Sequence, residues 1–227
     1  MYQDTYVVIP AFNEETTITE VIKDLQAHRF RNIIVVDDHS KDATFNVAET
    51  AGAEALHHVA NRGQGAALKT GIDYALHCGA EHIVTFDADG QHQAKDLQNM
   101  LSHLKENTHD IIVGSRFLEG SKSNIPMFRK VILKGGLVFL YVMYGLTLTD
   151  AQNGLRVMNA HAAKHIEIKE DRMEHATEIL HEIKKKELRF KEAPVEIKYT
   201  DYSKTKGQSS WNSLKIAFNL LMRKLTK

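Results

Sequence analysis

The chain has 227 residues, with 29 basic and 29 acidic side chains and no net charge. That balance argues against bulk nucleic-acid binding and against a uniformly basic membrane-binding face. The length predicts one large α/β domain with a substantial core. The single cysteine, Cys78, excludes an intramolecular disulfide and fits a reducing, cytoplasmic setting.

No signal peptide is expected, because residues 1–4 run straight into a strand-like segment. Strand patterns fall at 5–9, 33–37, 54–58, 82–86 and 110–113, and helical patterns at 16–27, 44–51, 66–78 and 95–104. Cys78, late in the third helix, is expected to be a small buried residue. The alternation predicts a mostly parallel sheet with helices on both faces, and ligands beyond the carboxyl ends of its strands. The second half is less regular. A helix interrupted by Gly135-Gly136 is expected over 128–144, a charged helix over 172–186, a short strand over 195–199 and a polar loop over 202–210. The longest apolar run, 137–146, is too short to span a bilayer, so a soluble or peripheral protein is expected. No repeat, low-complexity tract or Pro/Gly-rich linker marks a boundary. The working division is one domain: a first half over 1–115, a second over 116–210, and a C-terminal amphipathic helix over 211–227. In that helix Trp211, Leu214, Phe218, Leu221 and Leu225 form one stripe, with Lys215, Arg223, Lys224 and Lys227 beside it. The stripe suits an interfacial membrane helix, or a helix docked on the core or on a membrane-bound partner.

Polar clusters sit at the expected strand ends. Asp87-Ala88-Asp89 closes the run Ile83-Val84-Thr85-Phe86. Two carboxylates at i and i+2 share one side of an extended backbone, and Gln91 joins them if the chain stays extended. Such hard oxygen donors suit Mg2+ or Mn2+, which keep positions open for phosphate oxygens. After the first strand comes Pro10-Ala11-Phe12-Asn13-Glu14-Glu15 rather than the Gly-x-Gly-x-x-Gly of dinucleotide-binding dehydrogenases. Acids there repel phosphate but can hydrogen-bond a base or ribose, and Asp37 can hold a sugar hydroxyl. Asn13 and Ser40 could equally be helix N-caps. Asn61-Arg62-Gly63-Gln64-Gly65 feeds a helix bearing Lys69, and reads either as a phosphate-contacting helix N-terminus or as a tight turn. Gly114-Ser115-Arg116 and Arg129 could clamp an anion with forked hydrogen bonds, or be surface arginines. Glu174 and Glu178 share a helix face read as solvated. The thirteen histidines show no zinc spacing, and His57-His58 and His92 form no ligand set.

In order, residues 8–15, 36–42, 61–65 and 86–92 resemble glycosyltransferase family 2, in the branch of dolichol-phosphate mannosyltransferase-like enzymes. The match runs over roughly 5–200. The resemblance implies a GT-A fold and inverting transfer from a nucleotide diphosphate sugar, GDP- or UDP-linked. It places Pro10, Ala11, Asn13, Glu14, Asp37, Gly65, Lys69 and Ala88 toward the nucleotide sugar, and Asp87, Asp89 and Gln91 toward the metal. Arg116 and Arg129 would face a polyprenyl phosphate acceptor. Asp150-Ala151-Gln152-Asn153-Gly154-Leu155-Arg156 matches the family's acceptor-side segment. Asp150 is the candidate general base if the acceptor is a hydroxyl. Lys204 and Lys206 resemble a basic loop closing over the diphosphate, although Lys204 and Ser210 depart from the residues common there. The expected protein is a metal-dependent glycosyltransferase at the cytoplasmic face of a membrane. Alternatives are transfer to a saccharide hydroxyl, a sugar nucleotidyltransferase lacking its Gly-rich basic turn, and a non-catalytic nucleotide-binding module.

Overall fold

The computed structural model describes residues 2–106, 108–121, 145, 147–150 and 153–198. The helix expected over 128–144, Arg129, the 202–210 loop with Lys204 and Lys206, and the C-terminal helix lie outside these residues.

The first half alternates as its hydrophobic periodicity predicts. β1 (Thr5–Ala11), β2 (Asn32–Asp37), β3 (Glu54–His57) and β4 (His82–Thr85) pair in parallel in the order β3-β2-β1-β4. Between them run α1 (Ile18–Ala27), α2 (Thr44–Thr50) and α3 (Gln64–His77). α1 shows why such a segment is a helix. Ile18, Val21, Ile22 and Leu25 recur at three- and four-residue steps and are all buried. Burying each contributes roughly 1.5–3 kcal/mol.

α4 (Ala94–Lys105) leads to β5 (Ile111–Ser115). Three further elements complete the described second half with β7 (Phe190–Pro194): β6 (Arg156–Asn159) continues into α5 (Ala160–His165), and α6 (His175–Lys185) precedes β7. β6 inserts antiparallel between β4 and β5, and β7 pairs parallel with β5, giving a seven-stranded order of β3-β2-β1-β4-β6-β5-β7. One core lies between the sheet and α1, α2 and α4; the other lies under α3, α5 and α6. No described helix is long and apolar enough to cross a membrane.

The differences from expectation are local. The last strand is Phe190–Pro194 rather than 195–199; Val195 and Lys198 instead bond the Ser115 and Gln91 carbonyls from an irregular segment. β6 carries no sequence alternation strong enough to mark it, because both of its faces are buried. Cys78 is exposed, not buried. It falls at the carboxyl end of α3, where its carbonyl accepts the Tyr6 hydroxyl.

Candidate functional site

Neighbouring β1 and β4 point their carboxyl ends the same way while their connections lead in opposite directions along the sheet, to β2 and to β5. That is the crevice in which open α/β sheets take ligands. The site is built there and extends across β6 to β5.

Asp87 and Asp89 stand at the end of β4, but the backbone does not stay extended. It turns at 88–90, with Gly90 at φ 73°. Gln91 therefore does not continue the row of donors. Its amide nitrogen and backbone N–H both return to the Asp89 carboxylate. Ala88 turns its methyl into the core. Asp87 accepts Gln64 Nε2 at 3.2 Å and His92 Nε2 at 2.9 Å. Gly154 leaves room for it, since a Cβ there would lie 2.6 Å from Asp87 Oδ2. Burial pushes the Asp87 carboxyl up, but the His92 hydrogen bond and the charges of His92 and Arg156 outweigh it and hold it below the ordinary range. Asp89 is raised, by burial and then by the charge of Asp87. Two hard carboxylates that repel each other fit a divalent cation, which would draw them together. Among the described residues no group of three His, Cys, Asp or Glu could hold a metal unaided, so phosphate and water oxygens would complete its shell.

A second cluster of the candidate site is formed by the ends of β1 and β2. Asp37 and Asp38 are buried. Asp37 accepts His57 Nδ1 at 2.7 Å and the Ser40 backbone N–H at 3.3 Å. Asp38 accepts His58 Nδ1 at 2.7 Å, Arg62 N at 3.0 Å and Gly63 N at 2.6 Å. It thereby shapes the turn after β3. Pro10 and Ala11 close β1 beside this pair, where the Ala11 carbonyl accepts Asp38 N–H. Asn13, at φ 54°, caps no helix: its N–H donates to Ser40 Oγ and its Oδ1 accepts Lys41 N–H, each at 2.8 Å. Ser40 likewise precedes α2 by too far to cap it; Ala43 holds that position. Both residues stitch the β1 and β2 loops together, correcting the capping reading. Glu14 N–H donates to Thr44 Oγ1, and its carboxylate accepts the Thr17 hydroxyl.

The Gly63-Gln64-Gly65 turn is explained by packing. A Cβ on Gly65 would meet the Glu170 carbonyl at 2.0 Å and His175 Cβ at 2.9 Å, and the Ala66 N–H donates to the Asp171 carbonyl. The start of α3 is thus covered by the segment before α6. Lys69 pairs with Asp73 one turn on, with both side chains partly exposed. Of the turn, Gly63 N–H holds Asp38, and Gln64 is the residue that reaches Asp87.

Beyond the end of β5, on the side expected to face the acceptor, Arg116 and Asp150 pair. Arg116 Nε and Nη2 form a fork on Asp150 at 2.6 and 2.7 Å, and the Arg116 N–H adds a third bond at 3.1 Å. Asp150 is 1% exposed. The Thr149 and Asp150 N–H groups donate to Glu192, whose carboxyl burial pushes up. The solvated reading of Glu178 is corrected: it is half-buried and accepts the Lys169 and Glu170 N–H groups, at 2.9 Å each.

Sequence reasoning did not assign the residues that join the two sides. Arg156 on β6 is fully buried, with its guanidinium lowered to about 10 by burial although Asp87 and Asp150 pull it up. His175 is lowered to about 4, by burial and then by Arg156, so it stays neutral. His92 holds Asp87. Only Arg156 carried a signal: it closes the segment 150–156 that resembles the family's acceptor-side pattern, and it stands inside an otherwise apolar run, Leu155-Arg156-Val157-Met158.

These features define an open α/β sheet with a carboxylate-lined crevice at its strand ends, and comparison with known proteins gives the family. The profile described as Glycosyl transferase family 2 matches residues 6–166. The chain belongs to that family, in its dolichol-phosphate mannosyltransferase-like branch, and is a glycosyltransferase with a GT-A-like fold. It is 34% identical over 98% of its length, and 96% of the relative's, to the UDP-N-acetylglucosamine–dolichyl-phosphate N-acetylglucosaminyltransferase of Methanococcus voltae. It is 34% identical over 71% of its length, and 68% of the relative's, to the undecaprenyl-phosphate mannosyltransferase of Micrococcus luteus. Among solved structures, the glucosyl-3-phosphoglycerate synthase of Mycobacterium tuberculosis, crystallised with Mn2+ and UDP-glucose, superposes with a TM-score of 0.73. That match covers 98% of this chain and 78% of the other at 16% identity, a likeness of fold.

Proposed function

We propose that this glycosyltransferase moves a hexose, with inversion, from a GDP- or UDP-linked donor to a polyprenyl phosphate. The observation that carries the acceptor is likeness over 98% of the chain to an enzyme named for a dolichyl-phosphate acceptor. The site is consistent with it. A hydroxyl acceptor needs a general base, and Asp150 is buried under the Arg116 fork. A phosphate acceptor is already ionised and needs none.

In this reading Pro10, Ala11, Asn13 and Glu14 bound the nucleotide, and Asp37 accepts from its base or ribose. Asp87 and Asp89, with Gln91 bracing Asp89, hold a divalent cation. Mg2+ or Mn2+ bound there would offset charge on the departing diphosphate. His92 and Gln64 keep Asp87 oriented for that role. Arg116 meets the acceptor anion, which attacks the anomeric carbon from the face opposite the diphosphate. Arg129, Lys204 and Lys206 are proposed to complete the basic surround. A lipid acceptor requires the enzyme to work at a membrane surface, on its cytoplasmic face.

The test is product capture. Labelled UDP- and GDP-sugars are offered with Mn2+, a polyprenyl phosphate and a panel of saccharides. Label entering the organic phase with the prenyl phosphate supports the proposal. Label entering only a saccharide, or remaining on the nucleotide, overturns it.

A further inference from the structure

Asp37, at the end of β2, is 1% exposed, and both of its oxygens are engaged. Oδ1 accepts the Ser40 hydroxyl and N–H, and Oδ2 accepts His57 Nδ1 at 2.7 Å. The His57 side chain, by contrast, is 43% exposed. Its Nε2 has no partner among the described residues and is open to solvent. What Asp37 presents to a ligand is therefore the His57 ring, and the nucleotide role proposed for Asp37 is exercised through it.

The pairing fixes the chemistry of that ring. A carboxylate oxygen accepts, so Nδ1 carries the proton and Nε2 of the neutral ring is left as an acceptor. The ring is also held in place. His57 closes β3 in register with Asp37. Phe45 of α2 stands edge-on to it, with ring centroids 5.6 Å apart, and the exposed His39 ring lies 5.8 Å away. The result is a braced acceptor beside an aromatic surface. In the order β3-β2-β1-β4 it lies three strand spacings from the end of β4, roughly 14 Å at about 4.8 Å per spacing. An extended nucleoside diphosphate bridges that span, with its phosphates at Asp87 and Asp89 and its base beside His57.

The group on a base that matches such an acceptor is a ring N–H. Uracil carries one at N3 and guanine at N1. Cytosine and adenine have a lone pair at the corresponding position, which would face the lone pair of Nε2. We propose that His57 is a specificity-determining residue: its Nε2 accepts the ring N–H of the donor's base, while Asp37 fixes its tautomer and place. This favours UDP- or GDP-linked donors over CDP- and ADP-linked ones, because a site built to accept an N–H rejects the base that lacks it. The inference deepens the proposed function and rests on its reading that a nucleotide-linked donor lies with its diphosphate at Asp87 and Asp89.

The experiment measures binding rather than turnover. UDP, CDP, GDP and ADP, each with Mn2+, are titrated into the full chain and its variants by calorimetry at about pH 8, where an ordinary imidazole is neutral. Wild type is expected to bind UDP more tightly than CDP, or GDP more tightly than ADP, by about ten-fold. His57→Asn keeps a donor for Asp37 and leaves nothing at the Nε2 position. It is expected to bind the preferred nucleotide about ten-fold more weakly, with affinity for the counterpart lacking the N–H within about two-fold of wild type. His57→Phe, which keeps a ring without either nitrogen, is expected to show the same loss of discrimination. Melting midpoints check that the variants fold, and should one fail, the other carries the test. Wild-type discrimination in a folded variant overturns the inference. So does an equal loss for all four nucleotides, which puts the contact on the ribose or makes the role of His57 structural. Equal wild-type affinity within both pairs overturns it without any variant. If the wild-type protein binds none of the four, the donor reading falls and this inference with it.

Discussion

On the donor side of β6, Asp87 is held by a histidine and an amide, and Asp89 by Gln91 alone. Near the end of β5, Asp150 lies under a two-pronged arginine and beside a half-buried carboxylate, Glu192. The same residue type is thus left short of positive charge in one place and fully matched in the other. A carboxylate pair that repels itself is prepared for a cation that arrives with the substrate. A carboxylate already closed by an arginine holds that arginine in place until an anion competes for it.

The largest effect expected from breaking the comparison is on catalysis. Asp89→Ala is expected to lower transfer about 10²–10³-fold, the scale of losing a preorganised electrostatic contact. Initial rates at saturating donor check it. Stability is expected to move the opposite way on the two sides. Asp150→Ala removes the buried carboxylate that the Arg116 fork grips and is expected to destabilise by roughly 3–5 kcal/mol. Asp89→Ala removes a charge that burial and Asp87 disfavour, and is expected to leave the denaturant midpoint unchanged or slightly raised.

A third expectation concerns pH. His175 titrates at about 4 in the fold against 6.5 when free. Between those values the unfolded chain binds the proton and the folded one does not. Stability therefore rises with pH through this window and is lost as pH falls, by up to about 3 kcal/mol. The melting midpoint of His175→Gln is expected to change less across pH 4–6.5 than that of wild type; parallel curves would remove His175 from the effect. The smallest effect is at Lys69, whose partly exposed partner is Asp73. Lys69→Ala is expected to change stability by less than about 0.5 kcal/mol.

How much of this was legible in the sequence follows from the physics of each part. The first-half elements carry clear signals, because each helix buries one face and β1, β2 and β4 are largely apolar and buried. The strand-end polar clusters stand out against those runs, so Asp37, Asp87 and Asp89 could be found from sequence. The turn at Gly90 could not be seen from the spacing of Asp87, Asp89 and Gln91, since the same spacing serves an extended chain. β6 was missed because both of its faces are buried. The partners His57, His92 and Gln64 reach their carboxylates across loops or strands, and linear spacing carries no trace of that. The role of the Gly63–Gly65 turn is likewise set by the distant segment 170–172 that packs on it.

The most direct test of the donor-side claim is nucleotide binding with and without a divalent cation. UDP and GDP are titrated into the wild-type protein and Asp89→Ala, each in Mn2+ and in excess chelator. The account predicts that wild type binds one nucleotide tightly in Mn2+ and weakly in chelator, and that Asp89→Ala binds weakly in both. Equal affinity in all four conditions would contradict it, because Asp87 and Asp89 would then hold no cation for the diphosphate.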